Sequence, residues 1–296
     1  MITAKQVKEL RDITGAGMLD CKKALEETNG DIEKAVIYLR EKGMASAAKK
    51  ESRIAAEGLC SGVLLENEAI VFELNSETDF VAKNEKFLSL IDTIGNILVN
   101  SNVTNDKETL ALVHDGKKMT DILAEATATI GEKITLRRVS RVHKEADQTF
   151  GFYKHQGGRI VSLVVVKGSE EVAHNLAMHV AAQNPKYLTE AEIDPAFIES
   201  ERQILLNQAL QENKSEKKPK PEHIIGKMVE GRLNKQLKEI CLVYQPYVKD
   251  PNISVTDYLK SEKAEIISFL RLEVGEGIEK RQEDFAAEVE AQLKGK

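Results

Sequence analysis

The chain is poor in the features by which many proteins declare their chemistry. It has no tryptophan, and aromatic residues make up only 5% of its 296 positions. No apolar run approaches the roughly 18 residues that a membrane-spanning helix requires. The densest, Ile160 to Val166, is broken by Ser162 and has the length of a strand. Cys21, Cys60 and Cys241 lie far apart with no CxxC pair, so neither a disulfide framework nor a zinc knuckle is indicated. The Walker A, GxSxG and HExxH patterns are missing. Gly15-x-Gly17 and Gly275-x-Gly277 lack the strand–turn–helix context of a dinucleotide site and read as turns. His174 and His179, five apart on one helix, diverge and make a poor metal pair. No cofactor and no metal are expected, and by elimination the chain works by binding.

What is present is an ordinary folded composition, 42% hydrophobic and 30% charged, long enough for two or three domains. The 42 Lys and Arg against 48 Asp and Glu leave a net charge of -6, which argues against nucleic acid as the main ligand. A local basic patch is still compatible with that balance. Met1-Ile2-Thr3-Ala4-Lys5-Gln6 has neither the apolar run of a signal peptide nor the Arg-rich pattern of a transit peptide. A reducing, cytoplasmic location is expected.

The first fifty residues read as three short helices. Thr3 and Gln6 form a capping-box signature ahead of Val7, Leu10 and Ile13. Gly15-Ala16-Gly17 turns the chain into Met18–Glu27, with Leu19, Ala24 and Leu25 facing inward. Asp31 caps a third helix, lined by Ile32, Val36 and Leu39 and ending at Gly43. Ala45 to Ala56, with Lys49, Lys50 and Arg53, reads as a helical linker.

From Gly58 the period becomes that of strands. Val63–Leu65 and Ile70–Leu74 flank a turn at Glu66-Asn67. Phe87, Ile91, Ile94 and Leu98 mark one helix, Met119–Ile130 another, and Ile134–Val142 a closing strand. The pattern then repeats. Phe150–His155 and Arg159–Val166 flank Gly157-Gly158, and a helix runs from Glu171 to Gln183. Thr256-Asp257-Tyr258-Leu259 echoes Thr120-Asp121-Ile122-Leu123, and Leu270–Val274 echoes Thr135–Val139.

This is a duplicated ββ-α-α-β unit whose second copy carries an insertion. All six prolines, from Pro185 to Pro251, fall in or beside that insertion. Inside it, Phe197, Ile204, Leu205 and Ala209 make one stripe, and Val229, Leu233, Leu237 and Ile240 another, with a polar turn at Glu212–Pro221. A projecting coiled-coil hairpin fits best; plain amphipathic helices on the core are the alternative.

The most informative local feature is Thr78-Asp79-Phe80-Val81-Ala82-Lys83-Asn84, where the second strand hands over to the Phe87 helix. One reading makes Thr78 or Asp79 an N-cap and Phe80 a staple folded onto that helix. The other notes that Lys83 and Asn84 break the stripe and leave Phe80 beyond the core-facing run, free to wedge into a partner.

Two long motifs resemble those of the bacterial elongation factor Ts family, the exchange factors of elongation factor Tu. One is Leu10-Arg11 with Thr14-Gly15-Ala16-Gly17-Met18 and Asp20-Cys21-Lys22-Lys23-Ala24-Leu25. The other runs from Glu73 through Asn75, Thr78, Asp79 and Phe80 to Ala82. Further similar stretches are Ile130-Gly131-Glu132, Tyr153-x-His155, Met178–Ala182, Lys227–Arg232 and Glu273–Lys280, so the resemblance covers nearly the whole chain in order.

The resemblance implies an α+β protein that exchanges nucleotide on elongation factor Tu without bond chemistry. Asp79 and Phe80 would intrude between two helices of the partner's GTPase domain and disturb its Mg²⁺ and phosphate site. Thr78, Val81 and Ala82 would shape that loop, while Lys22, Ile130, Gly131 and His155 would lie at or support the interface. The helix from Gly277 onward would grip the GTPase domain. No direct nucleotide, nucleic-acid or membrane binding is implied. A heterodimer with the partner is expected, and pairing of two heterodimers is left open.

Combined with the residue pattern, the expected modules are a three-helix, UBA-like docking domain at 1–44 and a helical linker at 45–57. One core half occupies 58–145, and the second 146–185 with 242–275. The inserted hairpin is 186–241 and the C-terminal helical module 276–296. The hairpin tip, Lys214–Pro221, is longer than in shorter family members, which leaves its role open. A coiled-coil scaffold without exchange activity is the rival reading. A hydrolase or transferase lacks a motif, and a chaperone-like role of the hairpin would be secondary.

Overall fold

The computed structural model describes residues 2–216 and 219–279. Its elements, in chain order, are α1 (Ala4–Thr14), α2 (Met18–Glu27), α3 (Ile32–Lys50), β1 (Glu57–Leu64), β2 (Glu68–Ser76), α4 (Asp79–Ala82), α5 (Glu85–Val99), α6 (Asp106–Ala111), β3 (Val113–His114), β4 (Lys117–Lys118), α7 (Met119–Ile130) and β5 (Thr135–His143). There follow β6 (Thr149–His155), β7 (Ile160–Lys167), α8 (Glu170–Gln183), α9 (Pro195–Ser215), α10 (Glu222–Ile240), β8 (Pro246–Tyr247), β9 (Asp250–Ser254), α11 (Val255–Ser261) and β10 (Glu265–Glu273). The class is α+β, with helices first and antiparallel pairing in the β1–β2–β5 sheet.

The chain divides into two compact units. Among the described residues, one takes in the chain up to His143, Gln156–Ile160 and the stretch from Leu272; the other takes in Lys144–His155 and Val161–Arg271.

In the first unit the Thr3–Gln6 capping box forms as its sequence requires, and Gly15 ends α1 in the left-handed region. Val7, Leu10, Cys21, Ala24, Leu25 and Ala35 make the small helical core. Two inward assignments fail. Leu19 is 83% exposed, because it sits five residues before Ala24, on the far side of a 3.6-residue helix. Ile13, in the last turn of α1, is also exposed.

Helix α3 does not stop at Gly43. It continues to Lys50, because Gly43 packs against α7, where an added Cβ would stand 2.9 Å from the Ala128 methyl. Arg40 pairs with Glu125 at 3.2 Å along the same contact. Of the residues read as linker, those to Lys50 extend α3 and those beyond it form a turn and an extended segment into β1.

The sheet order is β1–β2–β5, and β2 is almost continuously buried. Phe72 and Leu74 from β2 meet Phe87, Ile91, Ile94 and Leu98 of α5 and Met119 and Leu123 of α7. Pairing of β2 with β5 shifts by one residue between Val71 and Glu73, leaving Arg138 and Val139 opposite Phe72, with Arg138 at φ 53°. The two amides released there are collected by one carboxylate, Asp106, from Arg138 at 2.8 Å and Val139 at 2.6 Å.

That bulge has a chemical result. Neighbouring residues on a strand normally face opposite ways. Here Arg137 and Arg138 both reach the fully buried Glu73, each through Nε at 2.7 Å. The other Glu73 oxygen accepts from Asn75 and from the Gly275 amide. Both arginines continue to the stretch from Leu272 of the same unit, bonding the carbonyls of Glu276 and Glu273.

In the second unit the sheet order is β10–β7–β6, so the second strand is again central. Its core gathers Val164, Val166, Leu176, Val180, Leu242, Val255 and Ile266. Helix α8 comes so close to β6 that a Cβ on Gly151 would lie 2.0 Å from the Ala173 carbonyl oxygen.

Helices α9 and α10 pack through Leu205, Ala209, Ile225, Val229, Leu233 and Leu237. Cross-helix ion pairs Arg202–Glu230 and Arg232–Glu212, both at 2.8 Å, flank that seam. Phe197 and Ile204, read as part of the inward stripe, are exposed instead, one position out of phase with the buried pair. The hairpin's neck is closed by backbone bonds, from Lys186 to Ile240 and from Leu242 to Tyr187, both 2.8 Å.

Candidate functional site

Strand β2 runs straight into the Thr78–Ala82 turn. Burial falls off within three residues, from Asn75 and Ser76, both fully buried, to an exposed Asp79 and Phe80. Phe80 is 80% exposed, which overturns the staple reading: the ring does not fold onto α5. Its neighbours hold the turn down. Ala82 is buried, and Val81 packs against the α5–α7 core.

Neither proposed N-cap acts as one. Thr78 occupies the cap position of α4 without a side-chain capping bond, while Asn84 caps α5 through the Lys86 amide at 2.8 Å. Asp79 pairs with Lys83 one turn on, at 3.1 Å.

The Thr78 hydroxyl is committed elsewhere. It donates to Glu132 Oε1 at 2.7 Å, and the Thr78 amide donates to Glu132 Oε2 at 2.9 Å. A reciprocal pair runs the other way, from the Lys133 amide to Glu77 Oε1 at 2.7 Å. Carboxylates taking backbone amides in this manner form charge-assisted bonds, stronger than neutral ones. Ile130 and Gly131 stand next to these residues in sequence, because α7 is capped at Gly131 (φ 95°) and the chain passes directly into Glu132, while Ile130 packs against the α5–α7 core.

Basic residues at the end of α3 and just beyond it join the same junction. Lys50 donates to the Gly131 carbonyl at 2.6 Å, and Arg53 bonds both oxygens of Glu77 at 3.3 and 3.2 Å. Lys86, at the start of α5, reaches the Gly15 carbonyl at 3.0 Å. Lys22 does not join the junction; it is exposed on α2 and its nearest charge is Glu26 at 3.8 Å. His155 belongs to the other unit, half-buried at the end of β6, with Nδ1 3.4 Å from the Tyr153 hydroxyl.

Sequence reasoning missed Glu77, Glu132, Lys50 and Arg53 as supports. A signal did exist: two single carboxylates stand beside tight turns whose amides need acceptors.

Among the described residues no group of three or more His, Cys, Asp or Glu is arranged to hold a metal ion, and no helix is long and apolar enough to cross a membrane. An aromatic held in solvent on a braced turn is the kind of feature by which a protein engages a partner, and here its supports are only partly buried or exposed. The comparisons with known proteins make the class specific. A family model described as elongation factor TS matches residues 77–276. Elongation factor Ts of Acholeplasma laidlawii (strain PG-8A) is 56% identical over 294 residues, covering 99% of each chain. The chain belongs to the elongation factor Ts family, the non-enzymatic exchange factors of translation elongation.

Proposed function

We propose that this chain promotes GDP release from elongation factor Tu in the cytoplasm, with the Asp79–Phe80 turn as the wedge that disturbs the partner's Mg²⁺ and phosphate site. It then holds the nucleotide-free form until GTP binds. Family membership supports the exchange activity, and the exposure of Phe80 above a braced turn is the observation that carries the wedge.

The physics is linkage. A partner that binds the empty GTPase better than the loaded one weakens nucleotide by the same free energy, since coupling is reciprocal. A 10⁴-fold weakening takes about 5.5 kcal/mol of differential binding. One aromatic anchor contributes roughly 2–4 kcal/mol, so other contacts supply the remainder. Lys22, Ile130, Gly131 and His155 are the proposed contributors, with Thr78 and Val81 shaping the loop.

The modules are assigned in the same terms: a UBA-like docking domain at 1–44 with a linker at 45–57, core halves at 58–145 and at 146–185 with 242–275, and a coiled-coil hairpin at 186–241. Matching strand orders in the two sheets and the cross-helix pairs of α9 and α10 support this reading. The C-terminal module, 276–296, lies from Lys280 onward outside the described residues. A heterodimer with elongation factor Tu is the working assembly; pairing of two such heterodimers is an open alternative.

Stopped-flow release of fluorescent GDP from elongation factor Tu tests the proposal, with wild type beside Asp79→Ala and Phe80→Ala. Strong acceleration that fades in both variants is expected. Acceleration unchanged in the variants would move the mechanism elsewhere on the chain, and no acceleration by folded wild type would leave a scaffold.

A further inference from the structure

The turn that carries Phe80 is short, exposed and polar at its entry, and a four-residue helix has little stability of its own. Left to itself, such a segment samples many conformations, and a partner that needs one of them binds with an affinity reduced by that fraction. Two carboxylates act against this. Glu132 takes the amide and the hydroxyl of Thr78, one on each oxygen, immediately before Asp79. Glu77 takes the Lys133 amide and the Arg53 guanidinium, immediately before Thr78. The pairs are reciprocal, so neither the turn nor the Glu132–Lys133 loop can shift alone. Ser76 adds a third restraint, donating to the Thr78 carbonyl at 2.9 Å.

We infer that Glu132 is a positioning residue for nucleotide exchange: its carboxylate holds Thr78 so that Asp79 and Phe80 meet the partner already in their working conformation. The inference rests on the exchange reading above and assigns the part that reading leaves open, namely what keeps the wedge in place. Glu132 acts through Thr78.

The chemistry of the pair separates holding from charge. In Glu132→Gln the amide oxygen can still accept the Thr78 N–H, and the amide NH₂ can donate to the Thr78 hydroxyl, which reverses its role because a hydroxyl both donates and accepts. The clamp survives without its charge. In Glu132→Ala both bonds are lost.

The test is catalysed release of fluorescent GDP from elongation factor Tu over a range of concentrations of the full chain. Wild type, Glu132→Ala, Glu132→Gln and Phe80→Ala are compared, with hydrogen exchange at the Thr78 amide measured on the free proteins. For Glu132→Ala the half-saturating concentration should rise about tenfold, the worth of roughly 1.4 kcal/mol, while the maximal rate stays near that of wild type. Its Thr78 amide should lose protection. Glu132→Gln should restore both readouts to within about twofold of wild type.

Equal losses in the Gln and Ala variants would overturn the inference in favour of a charge acting on the partner. So would a Glu132→Ala protein that exchanges like wild type. If Glu132→Ala fails to fold, Thr78→Val, which removes the hydroxyl bond alone, takes its place: a raised half-saturating concentration with lost protection supports the clamp, and a wild-type profile sinks it. Absence of acceleration by wild type would instead end the exchange reading and this inference with it, and shows in a different arm of the same experiment.

Discussion

Glu73 and Gly275 stand 202 positions apart, yet the Glu73 carboxylate accepts the Gly275 amide at 2.6 Å. The bond ties β2 to the stretch from Leu272, which belongs to the same unit, and completes the ligation of a carboxylate that has no contact with water. Burial and the negative charge of Glu73 together push the neighbouring Cys60 thiol up to about 12, with burial the larger cause. That thiol is therefore inert at neutral pH.

Glu73→Gln should cost about 2–4 kcal/mol. It leaves two arginines facing a neutral amide, and breaking a buried pair from one side is expensive. Both arginines retain some access to water, which keeps the cost below the extreme. Urea unfolding should show a lowered midpoint with an unchanged slope. A loss under about 0.5 kcal/mol, the size of an ordinary surface change, would mean that the pair contributes little.

Phe80→Ala should melt like wild type, within about 0.5 kcal/mol, because a ring that is four-fifths exposed leaves no cavity. Its exchange rate should fall by roughly 30-fold or more, the equivalent of a hot-spot residue. A large loss of stability would return the ring to the staple role.

How far this site could be read in advance depended on the range of the contacts. Periodicity located Met119–Ile130 to the residue and found both hairpins, because those patterns are local. For Phe80 it left two readings, staple and wedge, and only the exposure of the ring separates them. It could not show that Glu132 holds Thr78 or that Glu73 holds Gly275, since nothing local marks which distant amide a carboxylate will accept. Leu19 was misassigned for a related reason: in a ten-residue helix with few apolar positions, the phase rests on one or two residues, and Cys21 was the better guide.

Glycines separate into two kinds, with opposite expected effects. Gly226 and Gly231 lie in α10 with open space where a Cβ would go. Each should gain up to about 1 kcal/mol on substitution by alanine, from helix propensity alone. Gly151→Ala would drive a methyl into the Ala173 carbonyl and should cost about 3 kcal/mol or more, in the range of overpacked cores. Thermal melts of the three variants check both signs.

His179 links stability to pH. It is buried, with Nδ1 accepting from the Val248 amide at 3.1 Å and Nε2 3.0 Å from Gln245 Oε1, so the neutral ring is fully satisfied. Burial holds its pKa below the usual imidazole value, against a smaller opposing pull from Gln245. Below about pH 6.5 the unfolded chain takes a proton that the folded chain refuses. Stability should be complete above that pH and decline as pH falls towards the depressed folded value. Chemical unfolding between pH 5 and 8 should show this slope in wild type and a weaker one in His179→Gln. An identical slope in the two would assign the effect to other groups.

The closed neck at Tyr187 and Cys241 has a consequence for how this protein can change. Within the second unit, α9 and α10 depart from and return to the rest of the chain at one point, where Tyr187 bridges Cys241. Everything between them is an excursion whose ends are already joined, so lengthening it adds only a slowly growing entropy of closure. The sheet keeps its register whatever happens at the far end. Growth or loss of whole helical turns in α9 and α10, and of residues at the Lys214–Pro221 tip, is invisible to the β10–β7–β6 sheet. Insertions and deletions can therefore accumulate in the hairpin, as they cannot in β5, where one residue more or fewer would turn Arg137 and Arg138 away from Glu73.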